Sequence, residues 1–217
     1  MSVAIGLVIV DVLSALNSEA FQLAFTQWLA MDGKTLRRSH DRTAGLGALH
    51  SVSVWATEFG LSSGQVATDE KSNEITAIPQ LLRQVDIAGA IITIDAMGTQ
   101  TAIARQITES GGDFVLALKG NHETLFEGVK AKIDLQTEPD FAEVSPRCQI
   151  TKEPRHDREE TRVVVQLPAP ETLPGLSRWR GLKTIGLATR FCVQSGHETT
   201  EERCSISSLP MGVKRFA

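Results

Sequence analysis

Gly89-Ala-Ile-Ile-Thr-Ile-Asp-Ala-Met-Gly98 is the stretch on which the fold turns. Its run Ala90-Ile-Ile-Thr-Ile94 is short, continuous and apolar, the pattern of a strand buried on both faces, as parallel strands in α/β proteins are. Asp95 follows at once, so the strand delivers a carboxylate to its C-terminal end. Downstream, Met97 to Ser110 reads as a helix closed by Gly111-Gly112, Phe114 to Leu118 as a second buried strand, and Asn121 to Ile133 as a helix capped by Asn121. Upstream, Ile75, Ile78, Leu81, Leu82 and Val85 recur at helical spacing, with Pro79 early in that helix. Before it, Ser51 to Ala56 and Leu61 to Val66 flank Glu58-Phe-Gly60 and predict a hairpin. Phe21, Phe25, Trp28 and Leu29 predict a helix from Ser18 to Ala30 that runs almost directly into Asp32. Strands alternating with helices imply an α/β core with parallel elements.

After about Gln136 the character changes, because seven of the eight prolines lie beyond that point. Strand-like runs at Arg162 to Leu167, Leu182 to Cys192 and Glu202 to Ser207, separated by Pro and Gly turns, predict a β-rich insertion or subdomain. The expected organisation is a remnant helical segment over 1–30, an α/β core over 31–135 and the β-rich part over 136–217.

The 217 residues, 41% of them hydrophobic, are enough to bury one substantial core. A net charge of -4 does not advertise a nucleic-acid binder, so any basic surface must be local. Candidate clusters are Lys34, Arg37, Arg38, His40 and Arg42; Lys152, Arg155, His156, Arg158 and Arg162; and Arg178, Arg180 and Lys183. Cys148, Cys192 and Cys204 lack zinc spacing and the density of a secreted disulfide scaffold, which points to reduced thiols in a cytoplasm. Val3 to Val10 is apolar but too short to span a bilayer and has no signal-peptide flanks, so no membrane association is expected. There is no G-x-G-x-x-G, P-loop or nucleophile-elbow word to suggest a small-molecule α/β enzyme.

Asp32 precedes the hairpin and Asp95 ends a later strand. Carboxylates from neighbouring central strands can share divalent ions that act on a phosphodiester, and oxygen ligands suit Mg²⁺. Two aspartates alone are weak evidence, since Asp is common at such turns. Longer words add to them. Met31-Asp-Gly-Lys-Thr-Leu-Arg-Arg-Ser-His-Asp-Arg42, Asp69-Glu-Lys-Ser-Asn-Glu-Ile-Thr-Ala-Ile-Pro79, the Gly89–Gly98 stretch and Gly111-Gly-Asp-Phe-Val-Leu-Ala-Leu-Lys-Gly-Asn121 resemble, in order, core motifs of the ISAs-type, H-repeat-associated insertion-sequence transposases of the DDE class. The resemblance continues through His156–Arg162, Trp179–Gly186 and Ile206–Pro210, covering roughly residues 12 to 217.

That resemblance implies an RNase H-like core with a mixed sheet, Asp32 and Asp95 as catalytic and metal-binding carboxylates, and Mg²⁺ or Mn²⁺ as cofactor. It also implies hydrolysis at the ends of a mobile element in double-stranded DNA followed by strand transfer, with a homo-oligomer or a full-length transposase as possible protein partner. Two departures stand out. The family's His-Trp-x-Ile-Glu-Asn word, which carries the third carboxylate, is not found after Ile-Ser-Ser-Leu, so a truncated, inactive or weakly active remnant is expected. The apolar strand leading into Asp32 is reduced to Trp28-Leu-Ala-Met31, which threatens to misplace that aspartate. Glu160 is the internal candidate for the third catalytic carboxylate, set against an ordinary salt-bridged role between Arg158 and Arg162. Lys34, Arg37, Lys119, Arg158 and Arg162 are the candidate DNA contacts, each with a structural ion pair as its alternative. The competing class is a non-catalytic DNA-binding or subunit-interaction fragment that regulates the full-length enzyme.

Overall fold

The computed structural model describes residues 28–35, 50–57, 61–68, 74–137, 147–155 and 158–212. The elements are β1 (Trp28–Thr35), β2 (His50–Ala56), β3 (Leu61–Thr68), α1 (Glu74–Leu82), β4 (Ile91–Ile94), α2 (Thr101–Glu109), β5 (Asp113–Leu118), α3 (Glu123–Thr137), β6 (Arg147–Arg155), β7 (Arg158–Pro168), β8 (Thr184–Gln194) and β9 (His197–Ser207). They build one nine-stranded sheet in the order β3-β2-β1-β4-β5-β9-β8-β7-β6.

The first five strands give the expected RNase H-like core. β2 pairs antiparallel with both β1 and β3, while β4 lies parallel to β1 and to β5. A parallel pair needs a crossover, and α1 and α2 supply the two crossovers. Leu29, Met31, Val54, Ile92, Ile94, Phe114 and Leu116 join Leu81, Ile103, Ile107, Val129 and Ile133 in one buried cluster, so the helices cover a single face of the sheet. Ala30, Thr93, Val115 and Ala117 point the other way and are half-buried.

Three local expectations change. Trp28-Leu29-Ala30, read as the end of a helix, form the start of β1, and Leu29 is fully buried against its neighbours. Helical spacing of four residues cannot outweigh pairing with β2 on one side and β4 on the other, a tertiary effect. The remainder of the expected Ser18–Ala30 helix lies outside the described residues. β1 is eight residues long, so the first aspartate sits inside a full-length central strand. Asn121 caps nothing, because it lies within a 3-10 turn over Gly120–His122 and its side chain donates to the Ala96 carbonyl. Trp55 is 45% exposed on the half-buried face, whereas Trp179 is buried.

β6 to β9 extend the sheet as four antiparallel strands, with β9 joined to β5. β6 had no signal beyond scattered apolar residues, and Pro154 beside the charged Lys152, Glu153 and Arg155 suits its place at the sheet edge. The joint is fastened by buried serines. Ser207 Oγ donates to the Phe114 carbonyl at 2.8 Å, and Ser208 Oγ receives the Phe114 N–H while donating to Asp113 Oδ1. Among the described residues, no helix is long and apolar enough to cross a membrane.

Candidate active site

Register decides how the two aspartates meet. Trp28, Leu29, Ala30 and Met31 lie opposite Ile91, Ile92, Thr93 and Ile94. One residue further on, Asp32 and Asp95 stand abreast on parallel neighbours, whose backbones run about 4.8 Å apart. In-register residues of paired strands share a face, and here it is the half-buried face away from the helices. Both aspartates are exposed.

Asp95 is held by its own turn. Gly98 N–H donates to Asp95 Oδ1 at 3.2 Å, and Thr99 Oγ1 lies 3.0 Å from the Asp95 carbonyl and 2.7 Å from that of Ala117. His122 Nε2 lies 2.7 Å from the Thr99 carbonyl, an arrangement that requires the Nε2–H tautomer, and Asn121 fixes Ala96. His122 also stands edge-on to Trp179, with ring centroids 5.5 Å apart. His122 is one of five histidines scattered through the sequence without ligand spacing. Its hydrogen-bond partner is a backbone carbonyl, which leaves no side-chain pattern to detect. A Cβ at Gly98 would collide with Ile94 and Ile78, so this glycine is required by close packing beneath the turn.

The remaining candidates separate. Lys34, two residues beyond Asp32 on β1, shares its face and is exposed, and Lys119 is exposed just past the end of β5. Arg37 lies outside the described residues. Glu160 is on β7, four strands away from β4 in the sheet order and six residues beyond Gln166 in the row of Asp95, or roughly 28 Å at strand spacing and rise per residue. It cannot share ions with Asp32 and Asp95. Its side chain is only 9% exposed and is bound by three arginines. Arg158 Nη2 and Arg162 Nε donate to its two oxygens, and Arg190 Nη2 adds a bond at 3.1 Å. Arg162 and Arg158 hold the Glu160 carboxyl below the ordinary carboxylate range, against the opposing effect of burial. The salt-bridged alternative for Glu160 therefore describes its contacts, with Arg190 as a third partner that sequence proximity could not reveal.

The chemistry of the pair fits a divalent cation of the Mg²⁺ kind. The donors are two hard carboxylates on an open edge, and Mg²⁺ takes few protein ligands while retaining water. No third His, Cys, Asp or Glu joins them among the described residues.

The sequence matches the transposase DDE domain over residues 24–182. It is 41% identical to an uncharacterized protein from the dhlA 3′ region of Xanthobacter autotrophicus, covering 91% of this chain and 70% of that protein. It is 36% identical to the H repeat-associated protein YhhI of Escherichia coli K12, named as a candidate transposase, over 96% of this chain and 59% of YhhI. The protein YbfL of the same strain gives the same figures, so the chain spans about three-fifths of the length of these two relatives. Among solved structures, a piggyBac transposase synaptic complex with hairpin DNA superposes with a TM-score of 0.41 at 8% identity, over 85% of this chain and 34% of that one, a likeness too weak to carry weight.

Proposed function

The chain belongs to the DDE-domain transposases of insertion sequences, and from that premise we propose that Asp32 and Asp95 form the metal-binding edge of a phosphodiester-cleaving centre acting on double-stranded DNA. The single observation that supports this reading most is the β1–β4 register, which brings two exposed carboxylates abreast on one face. Mg²⁺ or Mn²⁺ bound there would stabilise charge developing on the oxygens of a phosphodiester. Asp32 and Asp95 would hold the ions. The turn from Asp95 to Thr99, tied down by His122 and Asn121, keeps the second carboxylate aimed along the strand ends. Lys34 and Lys119, exposed beside the pair, would neutralise the phosphates that approach it.

Among the described residues Asp32 and Asp95 are the acidic pair available to such ions. The chain is accordingly expected to bind Mn²⁺ through Asp32 and Asp95.

Mn²⁺ binding followed by electron paramagnetic resonance tests the reading. Removing a group behind a metal ligand typically weakens binding by roughly tenfold or more, and loss of a direct ligand should do at least that. Asp32→Asn and Asp95→Asn are each expected to weaken Mn²⁺ binding by that margin with unchanged circular dichroism. Binding that neither substitution affects would refute the proposed site. DNA binding without any Mn²⁺ binding would favour a non-catalytic regulatory fragment.

A further inference from the structure

β9 pairs with β5 only through Cys204 to Ser207. Its remaining residues, His197 to Arg203, pair with β8 alone. Because β9 runs antiparallel to β5, this free length projects past the C-terminal ends of the parallel strands, where Asp32 and Asp95 sit. β8 and β7 travel with it, Arg162 opposite Arg190 and Arg158 opposite Gln194. The outer halves of these strands form an arm beside the carboxylate pair.

Strand alternation sorts the arm's two faces. Asp95 follows Ile94, which pairs with Leu116, so its row continues through Ala117 to Ser205 and Gly186. Every second residue from that row shares the face of the aspartates. On β9 these are Arg203 and Glu201, on β8 Arg190 and Cys192, and on β7 Arg162, Glu160 and Arg158. All four arginines whose side chains are described in the arm therefore lie on one face. The reverse face carries Phe191, Val193, Glu159, Glu198 and Glu202.

Two carboxylates hold these guanidinium groups in fixed positions. Glu160 takes Arg158, Arg162 and Arg190. Glu201 takes Arg203 at 2.8 Å and Arg190 at 3.5 Å. The ion pairs leave donors over. Arg158 Nε is buried with no hydrogen-bond acceptor among the described residues, Arg190 Nε lies 3.0 Å from Glu160 Oε1, and the donors open to a ligand are those of Arg162 and Arg203, whose side chains are 55% and 70% exposed. Four guanidinium groups against Glu160, Glu201 and Glu153 leave a local positive excess in a chain of net charge -4. At about 4.8 Å per strand and about 3.3 Å per residue, Arg203 lies roughly 12 Å and Arg190 roughly 20 Å from Asp95.

We infer that this arginine face is a docking surface for the phosphate backbone of double-stranded DNA, lying on the same side as the carboxylate pair and engaging the same duplex. The inference rests on the reading of Asp32 and Asp95 given above. A separation of roughly 20 Å takes in about six base steps at about 3.4 Å each, so a single stiff duplex reaches both features. Guanidinium groups held in a fixed array by neighbouring acids bind phosphate oxygens without reading sequence. Glu160 then serves as the organiser of the array. It touches no reacting atom.

Fluorescence anisotropy of a short labelled duplex of arbitrary sequence, titrated with the full chain at several salt concentrations, tests this. Each lost phosphate contact lowers the slope of log affinity against log salt by about 0.9. Arg162→Gln combined with Arg203→Gln, with circular dichroism checking the fold because Arg162 also neutralises Glu160, is expected to reduce the slope by about 2 and weaken binding at every sequence tried, and Arg203→Gln alone, which leaves Glu160 its three arginines, by about 1. Lys152→Gln on the reverse face is expected to change neither. An unchanged slope in the double variant, or no duplex binding by the unsubstituted chain at low salt, overturns the inference. Mn²⁺ binding measured on the same preparations separates the two readings. A chain that binds Mn²⁺ at the aspartates but ignores duplex defeats the arginine face alone, whereas arginine-dependent duplex binding without Mn²⁺ defeats the metal site.

Discussion

At the end of β4, Asp95 is exposed and gives one oxygen to the Gly98 N–H; on β7, Glu160 is buried with both oxygens taken by three arginines. The two carboxylates share one face of one continuous sheet, yet their surroundings suit opposite purposes. Around Asp95 the turn supplies backbone donors and no cation, which leaves the carboxylate available to an ion from solution. Around Glu160 the neighbouring strands supply the cations themselves, which occupies it. A buried carboxylate without partners would carry a large desolvation penalty, so the three arginines are what permit its burial. An acidic residue is therefore a metal-ligand candidate only after its protein-borne counter-ions have been found, and for strand residues those come from the neighbouring strands.

The contrast can be broken most severely from the core. Phe114→Ala empties a fully buried position where β4, β5 and the serine clasp meet, and is expected to cost about 3–5 kcal/mol in chemical denaturation. Because core and arm share one sheet, both should unfold together; separate transitions would show that the arm is an independent unit. A smaller effect is expected from Glu160→Gln, which leaves three guanidinium groups without their carboxylate. Hydrogen exchange should accelerate in the outer parts of β7 and β8 and stay unchanged in β4 and β5. The same substitution gives a pH test. Since the Glu160 pKa is depressed by Arg162 and Arg158, its contribution is present above the ordinary value of 4.5 and is lost as pH falls through the lower folded value. The arm of the unsubstituted chain should therefore resist acid to below that ordinary value, and the Gln variant should lack this acid-dependent loss. The gentlest test is Thr99→Val, which removes the hydroxyl bridging Asp95 and Ala117 carbonyls. Mn²⁺ binding should weaken severalfold while the unfolding midpoint moves little, an outcome that a purely structural role for Thr99 would reverse.

Much of the core was legible from residues alone. Ala90 to Ile94 and Phe114 to Leu118 are continuous apolar runs, and continuous runs bounded by Asp or Gly carry their strand assignment locally. The hairpin of β2 and β3 and the helix behind it were equally local. What escaped was whatever depended on a distant partner. Trp28 to Ala30 carry helical spacing and become strand because β2 and β4 pair with them. Trp55 has the composition of a core residue and is exposed because strand alternation turns it away from the helices. Asn121 has the composition of a cap and serves the Ala96 carbonyl instead. The distal strand β6 went unseen because its pattern mixes Pro154 with charges, and an edge strand has only one neighbour to specify it.

By itself the sequence determined the kind of protein this is: its family words lie in order, and two aspartates follow or sit within apolar strands that a phosphodiester-cleaving core would use. Only the tertiary structure decided which acids are exposed and which are held by arginines among the described residues. It aligned Asp32 with Asp95 through the β1–β4 register, closed Arg190 over Glu160 from a neighbouring strand, and gathered the arm's arginines on the face of the aspartates. The reason is that side-chain periodicity reports the local backbone state, whereas strand register is set by the burial of apolar faces across elements far apart in the chain, and every cross-strand encounter follows from that register.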